Sequence, residues 1–327
     1  MIRFGIIGTN WITDRLLEAA KSVEGFRLTA VYSRSKQTGQ EFADKYGAAF
    51  VYTDIQELAK SDHVDAVYIA SPNSFHHHQA ITLMKAGKHI LCEKPLASNS
   101  REVREMVDAA KKNNVVLMEA MKTTLLPSIQ AVQENLHKIG KVRKYFATYC
   151  KYSSRYDSYK QGTILNAFNP IYSNGSLMDL GVYGISPMVL LFGKPTKVKA
   201  TATILDSGVD GAGSVLASYD DMEGTILHSK ISDSYIPSEI QGENGSILID
   251  AISEPEKIEV RYKDGRVESV PFKQEFLPMY YEVKEFINLI THGQLESEIN
   301  SHERAIITAE IVEEARKQIG VVYPADQ

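Results

Sequence analysis

Between residue 2 and about residue 120, short runs rich in β-branched residues alternate with stretches whose apolar positions recur three and four residues apart. The runs fall at 3–7, 28–32, 64–70, 89–92 and 115–118, and the helical stretches at 11–22, 38–46, 75–86 and 101–112. Strands and helices that alternate in this way fold as βαβ units and build a parallel sheet covered by helices on both faces. The near-continuous apolar character of 64–70 fits a strand buried on both sides.

After Pro127 the rhythm changes. One helix reaching His137 precedes strands with alternating patterns between about 141 and 270, broken by a helix near 179–192. Glu243-Asn244-Gly245 and Lys263-Asp264-Gly265 are turn signals at hairpin spacing, so antiparallel pairing is expected there. Helices at about 279–291 and 302–318 close the chain. The pattern predicts an α/β protein with a doubly wound domain of dinucleotide-binding type over 1–122. A second, α+β domain over 123–327 is expected to carry a large, mostly antiparallel open sheet. No repeat or low-complexity linker separates them, so a tight join near 120–127 is expected.

Composition narrows the function classes. The 327 residues are 43% hydrophobic and 24% charged, with a formal net charge of -5. A mildly acidic chain without a Lys/Arg block offers no electrostatic footprint for nucleic acid or an anionic membrane. The start, Met1-Ile2-Arg3-Phe4-Gly5, enters a strand without the plan of a signal peptide, and no apolar run is expected to reach membrane-spanning length. Cys92 and Cys150 are distant and lack metal-like spacing, which points to a reducing, cytoplasmic compartment.

The candidate cofactor residues sit where strands end. Gly8-Thr9-Asn10-Trp11-Ile12-Thr13 follows the first strand, where a dinucleotide fingerprint carries Gly at the first, third and sixth positions. Of these glycines Gly8 alone is present. Asn10 is expected to replace the second through its tolerance of positive φ, and the helix starting near Trp11 offers its N-terminus to phosphate. Thr13 stands where close packing usually wants Gly or Ala. At the end of the second strand, Ser33-Arg34 replaces the carboxylate that would bind a ribose 2′-hydroxyl; Arg34 suits a 2′-phosphate, so NADP is favoured and NAD remains open. A solvated loop is the alternative. Ser71, Pro72, Asn73 and His76 follow the third predicted strand, 64–70. A metal reading of His76-His77-His78 fails because successive helical residues diverge by about 100°; His76 is expected to point inward, and no metal is expected.

Lys88-His89-Ile90-Leu91-Cys92-Glu93-Lys94-Pro95-Leu96-Ala97, the Ser71-Pro72-Asn73 segment and Gly175-Ser176-Leu177-Met178-Asp179-Leu180-Gly181-Val182-Tyr183 together resemble the glucose-fructose oxidoreductase / inositol dehydrogenase / rhizopine catabolism (Gfo/Idh/MocA) family, over essentially the whole chain. The Tyr-containing motif is closest to its dihydrodiol dehydrogenase-like branch, whose members typically use NADP. The resemblance implies a Rossmann-like first domain and hydride transfer between a nicotinamide and a carbonyl or secondary alcohol of a sugar, polyol or related hydroxylated ring. Tyr183 would be the acid/base, Lys94 its electrostatic aid, and Asp179 the group that positions a substrate hydroxyl. Glu93 and Glu119 join Gly8, Thr9, Asn10, Trp11, Ile12, Ser33, Arg34, Ser71, Pro72, Asn73, His76 and Lys94 as implied cofactor-side residues. A homodimer or homotetramer is implied as well.

The chemistry is coherent. An ammonium beside a developing alkoxide stabilises it, and it makes a tyrosine near pKa 10 usable at neutral pH. Asp179 and Tyr183, four apart on a helix, would share one face. Singly, Lys94 reads equally as a turn residue, Tyr183 as a core residue and Asp179 as a helix cap; a cis Lys94-Pro95 bond is a further expectation. Thr124 stands where relatives often have Arg, and Ser186 where others place Asp, His or Asn. The 153–157 loop either supplies replacement contacts or is solvated. Two rivals remain: an NAD-dependent sugar or inositol dehydrogenase, and a nucleotide-sensing regulator without turnover.

Overall fold

A computed structural model describes all residues, 1–327. It divides into two compact units, one formed by Met1–Lys122 with Phe276–Ile306, the other by Thr123–Glu275 with Ile307–Gln327.

The first unit is built on a parallel sheet of six strands, β1 (Ile2–Ile7), β2 (Phe26–Tyr32), β3 (Phe50–Tyr52), β4 (Ala66–Ile69), β5 (His89–Glu93) and β6 (Leu117–Ala120). Their order is β3-β2-β1-β4-β5-β6, the doubly wound arrangement in which the connection reverses between β1 and β4. The crossover helices are α1 (Trp11–Ala20), α2 (Lys36–Tyr46), α3 (Ile55–Lys60), α4 (His76–Lys85) and α5 (Ser100–Asn113). β4 is buried at every position, as its apolar run requires. The short β3 and α3 have too few residues to show a period and were not expected from the sequence.

In the second unit, α6 (Pro127–Asn135) opens the chain and gives way to a 3-10 turn from Leu136 to Ile139, so the helix ends two residues before the expected His137. β7 (Val142–Cys150) and α7 (Ser154–Lys160) follow, then α8 (Val182–Phe192) and strands β8 (Lys197–Ile204), β9 (Asp210–Ser218), β10 (Glu223–Ser229), β11 (Ser238–Gly242), β12 (Gly245–Ile249), β13 (Ile258–Tyr262) and β14 (Val267–Ser269). They form one sheet, β14-β13-β12-β11-β7-β10-β9-β8, antiparallel except between β7 and β10. The two turn signals sit at the β11–β12 and β13–β14 hairpins. One face of the sheet packs under a core containing Tyr145, Ile226, Ile240, Ile185, Met188 and Val312.

Three expectations change here. Residues 276–306, including α9 (Pro278–Thr291), belong to the first unit rather than the second: Phe286 is fully buried with its ring 5.9 Å from that of Phe4, and Asn300 Nδ2 donates to the carbonyls of Glu119 and Met121. The last helix, α10 (His302–Ile319), starts in the first unit, where the His302 ring bonds the Leu117 carbonyl, and ends in the second. Residues 153–157 are not an open loop, since Ser153 caps α7 through its hydroxyl. Finally, one segment, Pro170–Phe192, is long and apolar enough to cross a membrane by length and composition, which the sequence reading did not expect. Its residues Leu177, Met178, Ile185, Met188 and Val189 lie in the core of the second unit, which accounts for its apolarity.

Candidate active site

In the first unit the expected cofactor residues gather at the carboxyl ends of β1, β2 and β4. Gly8 has φ +103°, and a Cβ there would stand 2.5 Å from the Ala70 carbonyl oxygen. Nothing larger fits this approach between the ends of β1 and β4. Asn10 is not in a positive-φ conformation: its φ is -104°, and it acts as the cap of α1, accepting from Ile12 N at 3.0 Å while its amide donates to Ala70 O at 2.9 Å. It replaces a glycine by side-chain bonding, a role that tolerance of left-handed backbone does not describe. Thr13 fits the close packing because its hydroxyl donates to Gly8 O at 2.8 Å. Thr9 and Ile12 are half-buried, while Trp11 is 57% exposed with the Arg15 guanidinium 5.9 Å from its ring.

Ser33 and Arg34 follow β2. The Ser33 hydroxyl accepts from Ser35 N, and Ser35 caps α2, so the turn is shaped by its own serines and leaves Arg34 exposed. After β4, the Ser71 hydroxyl donates to Gln79 at 2.7 Å, and Pro72 precedes the single 3-10 turn Asn73–Phe75 that leads into α4.

His76, Glu93 and Glu119 are turned into the protein rather than outward. The His76 ring is fully buried, with Nδ1 3.1 Å from Pro95 O and Nε2 2.9 Å from Ser71 O. It ties the loop after β4 to the turn after β5. Burial lowers its basicity, opposed by these carbonyls. Glu119 accepts from Leu96 N at 2.9 Å, and burial pushes its carboxyl up to about 7 against that bond, aided by Glu93. Glu93 accepts from the Tyr68 hydroxyl at 2.5 Å and from Lys94 N at 3.3 Å. Lys94-Pro95 is cis. The lysine turn is thus held from within by His76, Glu93 and Glu119.

Two further members had no sequence signal. Glu282 of α9 is fully buried and neither carboxyl oxygen has a hydrogen-bond partner; burial and the nearby Glu93 raise its proton affinity well above the carboxylate range, opposed by Lys122. The buried Lys122 ammonium counters both carboxyls. Burying a carboxylate is costly, so burial raises the proton affinity of Glu93, despite its two donors, as well as that of the unpartnered Glu282.

In the second unit, Asp179 and Tyr183 do not share a regular α-helix. Residues Leu177–Gly181 form a π turn ahead of α8, and Asp179 lies inside this wide turn, where it is not a cap. Its carboxylate is 38% exposed and pairs with the buried Lys230 ammonium at 2.9 Å. Tyr183 is 8% exposed, its ring meeting Tyr149 of β7 edge-on at 5.4 Å. The turn rests on groups from distant strands: Asp210 Oδ2 accepts from Leu177 N at 2.6 Å, and the His228 ring is 2.9 Å from the Ser176 hydroxyl. Burial lowers the basicity of His228, opposed by Asp210. Gly181 has no Cβ because one would stand 2.8 Å from Leu177 Cδ1 and 3.2 Å from His228 Cδ2. Within α8, Pro187 offers no N–H to the Tyr183 carbonyl one turn earlier. Ser186 and Thr124 are buried and turned from solvent. No group of three or more His, Cys, Asp or Glu side chains is arranged to hold a metal ion.

Comparison with known proteins agrees with this architecture. A profile described as "Oxidoreductase family, NAD-binding Rossmann fold" matches residues 2–121, and one described as "GFO/IDH/MocA C-terminal domain" matches residues 130–248. The chain is 59% identical over 327 residues to scyllo-inositol 2-dehydrogenase (NADP(+)) IolU of Bacillus subtilis (strain 168), covering 100% of both chains. It is 30% identical over 347 residues to trans-1,2-dihydrobenzene-1,2-diol dehydrogenase of Mus musculus, covering 100% of this chain and 99% of the other. The crystal structure of aldose-aldose oxidoreductase from Caulobacter crescentus complexed with glycerol shares the fold, with a TM-score of 0.87 at 18% identity over 97% of each chain. A parallel sheet of this strand order, a mostly antiparallel sheet beside it in the chain and full-length identity above half lead to one statement: the chain belongs to the Gfo/Idh/MocA family and is an NAD(P)-dependent oxidoreductase with an NAD-binding Rossmann fold.

Proposed function

We propose that this enzyme is an NADP-preferring dehydrogenase of cyclic polyols, oxidising a secondary alcohol of an inositol-like ring or reducing the corresponding ketone. The observation that carries the proposal is the full-length identity of 59% to a scyllo-inositol 2-dehydrogenase (NADP(+)). The first unit fits a dinucleotide on its own geometry: Gly8 leaves a cradle that a Cβ would fill, and the exposed Arg34 follows β2 without a competing carboxylate. Gly8, Thr9, Asn10, Trp11, Ile12, Ser33, Arg34, Ser71, Pro72 and Asn73 would hold it, Arg34 meeting a 2′-phosphate. Bound NADP supplies hydride acceptor and donor chemistry.

The chain's own residues supply the proton chemistry. Tyr183 takes the hydroxyl proton in oxidation and returns it in reduction, Lys94 stabilises the oxyanion and lowers the cost of ionising the tyrosine, and Asp179 orients a substrate hydroxyl. His76, Glu93 and Glu119 act through the lysine turn they hold. A cytoplasmic homodimer or homotetramer completes the reading, supported by two free cysteines and the resemblance to the family.

The test is oxidation of scyllo-inositol and its epimers with NADP and with NAD. Turnover with NADP, lowered about 100-fold or more in kcat by Tyr183→Phe with cofactor affinity kept, is the expected result. Full activity of Tyr183→Phe would remove the tyrosine from its role.

A further inference from the structure

Resting on that reading, we propose that Lys230 is the positioning residue of the substrate side, holding Asp179 in place through their ion pair. Lys230 is the first residue beyond β10, and its backbone is fixed on both sides: its N–H donates to Gly211 O at 2.8 Å and its carbonyl accepts from Ser153 N at 2.9 Å. The side chain then runs under the π turn. Its ammonium lies 2.9 Å from Asp179 Oδ2, 3.0 Å from Ala167 O and 3.3 Å from Asn174 Oδ1, and 5.2 Å from the Phe168 ring centroid.

An ammonium has three donors and no acceptor, and here three acceptors meet it. Lys230 is only 2% exposed, so its charge has been taken out of water. Desolvating a lysine is costly, and an apolar side chain over Phe168 would pack at lower cost. Carbonyl and amide oxygens need a donor but not a cation. The partner that needs the charge is Asp179, which the π turn presents at 38% side-chain exposure.

The wide turn is therefore clamped from one side by two neighbouring strands. β9 contributes Asp210 beneath Leu177, while His228 of β10 meets Ser176 and Lys230, just past that strand, meets Asp179. The clamp extends to the end of the chain, where the Tyr323 hydroxyl donates to Asn174 O at 2.9 Å. Lys230 is nearly sealed from solvent with its donors engaged, so it acts through Asp179 and is not itself an acid or base for substrate.

The experiment is steady-state kinetics of Lys230→Met, Lys230→Arg, Asp179→Asn and the Lys230→Met/Asp179→Asn double variant, on the polyol turned over by the parent enzyme. Displacing an orienting carboxylate by an ångström is expected to cost Lys230→Met about 30- to 100-fold in kcat/KM. NADP affinity should be unchanged, Lys230→Arg should recover most of the loss, and the double variant should be no worse than Asp179→Asn. Unchanged kcat/KM in Lys230→Met, or losses that multiply in the double variant, would overturn the proposal. If Lys230→Met does not fold, Lys230→Gln, which keeps a donor without the charge, is read by the same criteria.

Hydrogen exchange of residues 175–182 separates this proposal from the functional reading. Should the parent enzyme turn over no polyol, the functional reading fails. Exchange about tenfold faster in this turn alone in Lys230→Met, reversed in Lys230→Arg, would still support the clamp, and unchanged exchange would refute it.

Discussion

Glu119 holds its proton to about pH 7 because burial outweighs the help its carboxylate receives from Leu96 N and Lys94. In the unfolded chain the same group titrates near 4.3. Its folded value is raised, so the stability it contributes is full below the unfolded value and is lost as pH rises through 7. Glu119→Gln keeps an oxygen for Leu96 N and cannot ionise. Denaturant unfolding should show the stability of the variant gaining on the parent by about 2.5 kcal/mol between pH 5 and pH 8, with a constant difference only below about pH 3.5. Arg34 gives a second prediction at this scale. Arg34→Ala should weaken NADPH binding about tenfold to a hundredfold while leaving NADH nearly unchanged, as loss of a charge-assisted contact requires; calorimetric titration of both cofactors checks it. At single positions the motifs nominated candidate chemistry more readily than they revealed support. Motifs nominated Lys94, Tyr183 and Arg34, and His76 was expected to point inward, in agreement with its full burial, but what His76 and Glu119 hold was not legible. Their partners are backbone atoms of Ser71, Pro95 and Leu96, which no side-chain pattern reveals.

Among the elements, the π turn Leu177–Gly181 departs furthest from the sequence pattern. Asp179 and Tyr183 at four-residue spacing suit an α-helix, and local periodicity contains nothing against it. What widens the turn arrives from strands far along the chain: Asp210 bonds Leu177 N across 33 residues, and His228 bonds Ser176 across 52. π turns of this kind recur at functional sites because they redirect side chains that a regular helix would stack. Gly181→Ala should cost about 1–3 kcal/mol, since Leu177 is fully buried and the His228 ring is held by Ser176. The same variant should reduce turnover more than it reduces cofactor affinity, which urea unfolding and kinetics together would measure. Loss of stability without any change in turnover would show that the turn's shape does not matter to the reaction. The strands and hairpins were legible because period and turn chemistry are local, whereas β3, three residues long, had too little sequence to show either.

For the whole molecule, the boundary near residue 122 was visible as a change of rhythm, but the return of residues 276–306 to the first unit was not. An amphipathic helix shows that it has an apolar face without showing which sheet covers it. Since Phe286 packs by Phe4, and Asn300 and His302 bond the backbone of residues 117–121, a fragment of residues 1–122 lacks part of its own core. Its near-ultraviolet circular dichroism and cooperative unfolding should be absent, and should appear when residues 276–306 are joined to it by a flexible linker. A well-folded 1–122 fragment would show that α9 is dispensable.

The same return of the chain sets a clock on biosynthesis. The strands of the first sheet leave the ribosome early, yet the segment that completes their unit ends at Ile306, which is 306 − 122 = 184 residues after Lys122. At roughly 5–20 residues per second this delay is about 10 to 40 s. Throughout it, the surface awaiting Phe286 is uncovered apolar area available to chaperones. A message truncated within the second unit would therefore yield a chaperone client, not a smaller nucleotide-binding protein.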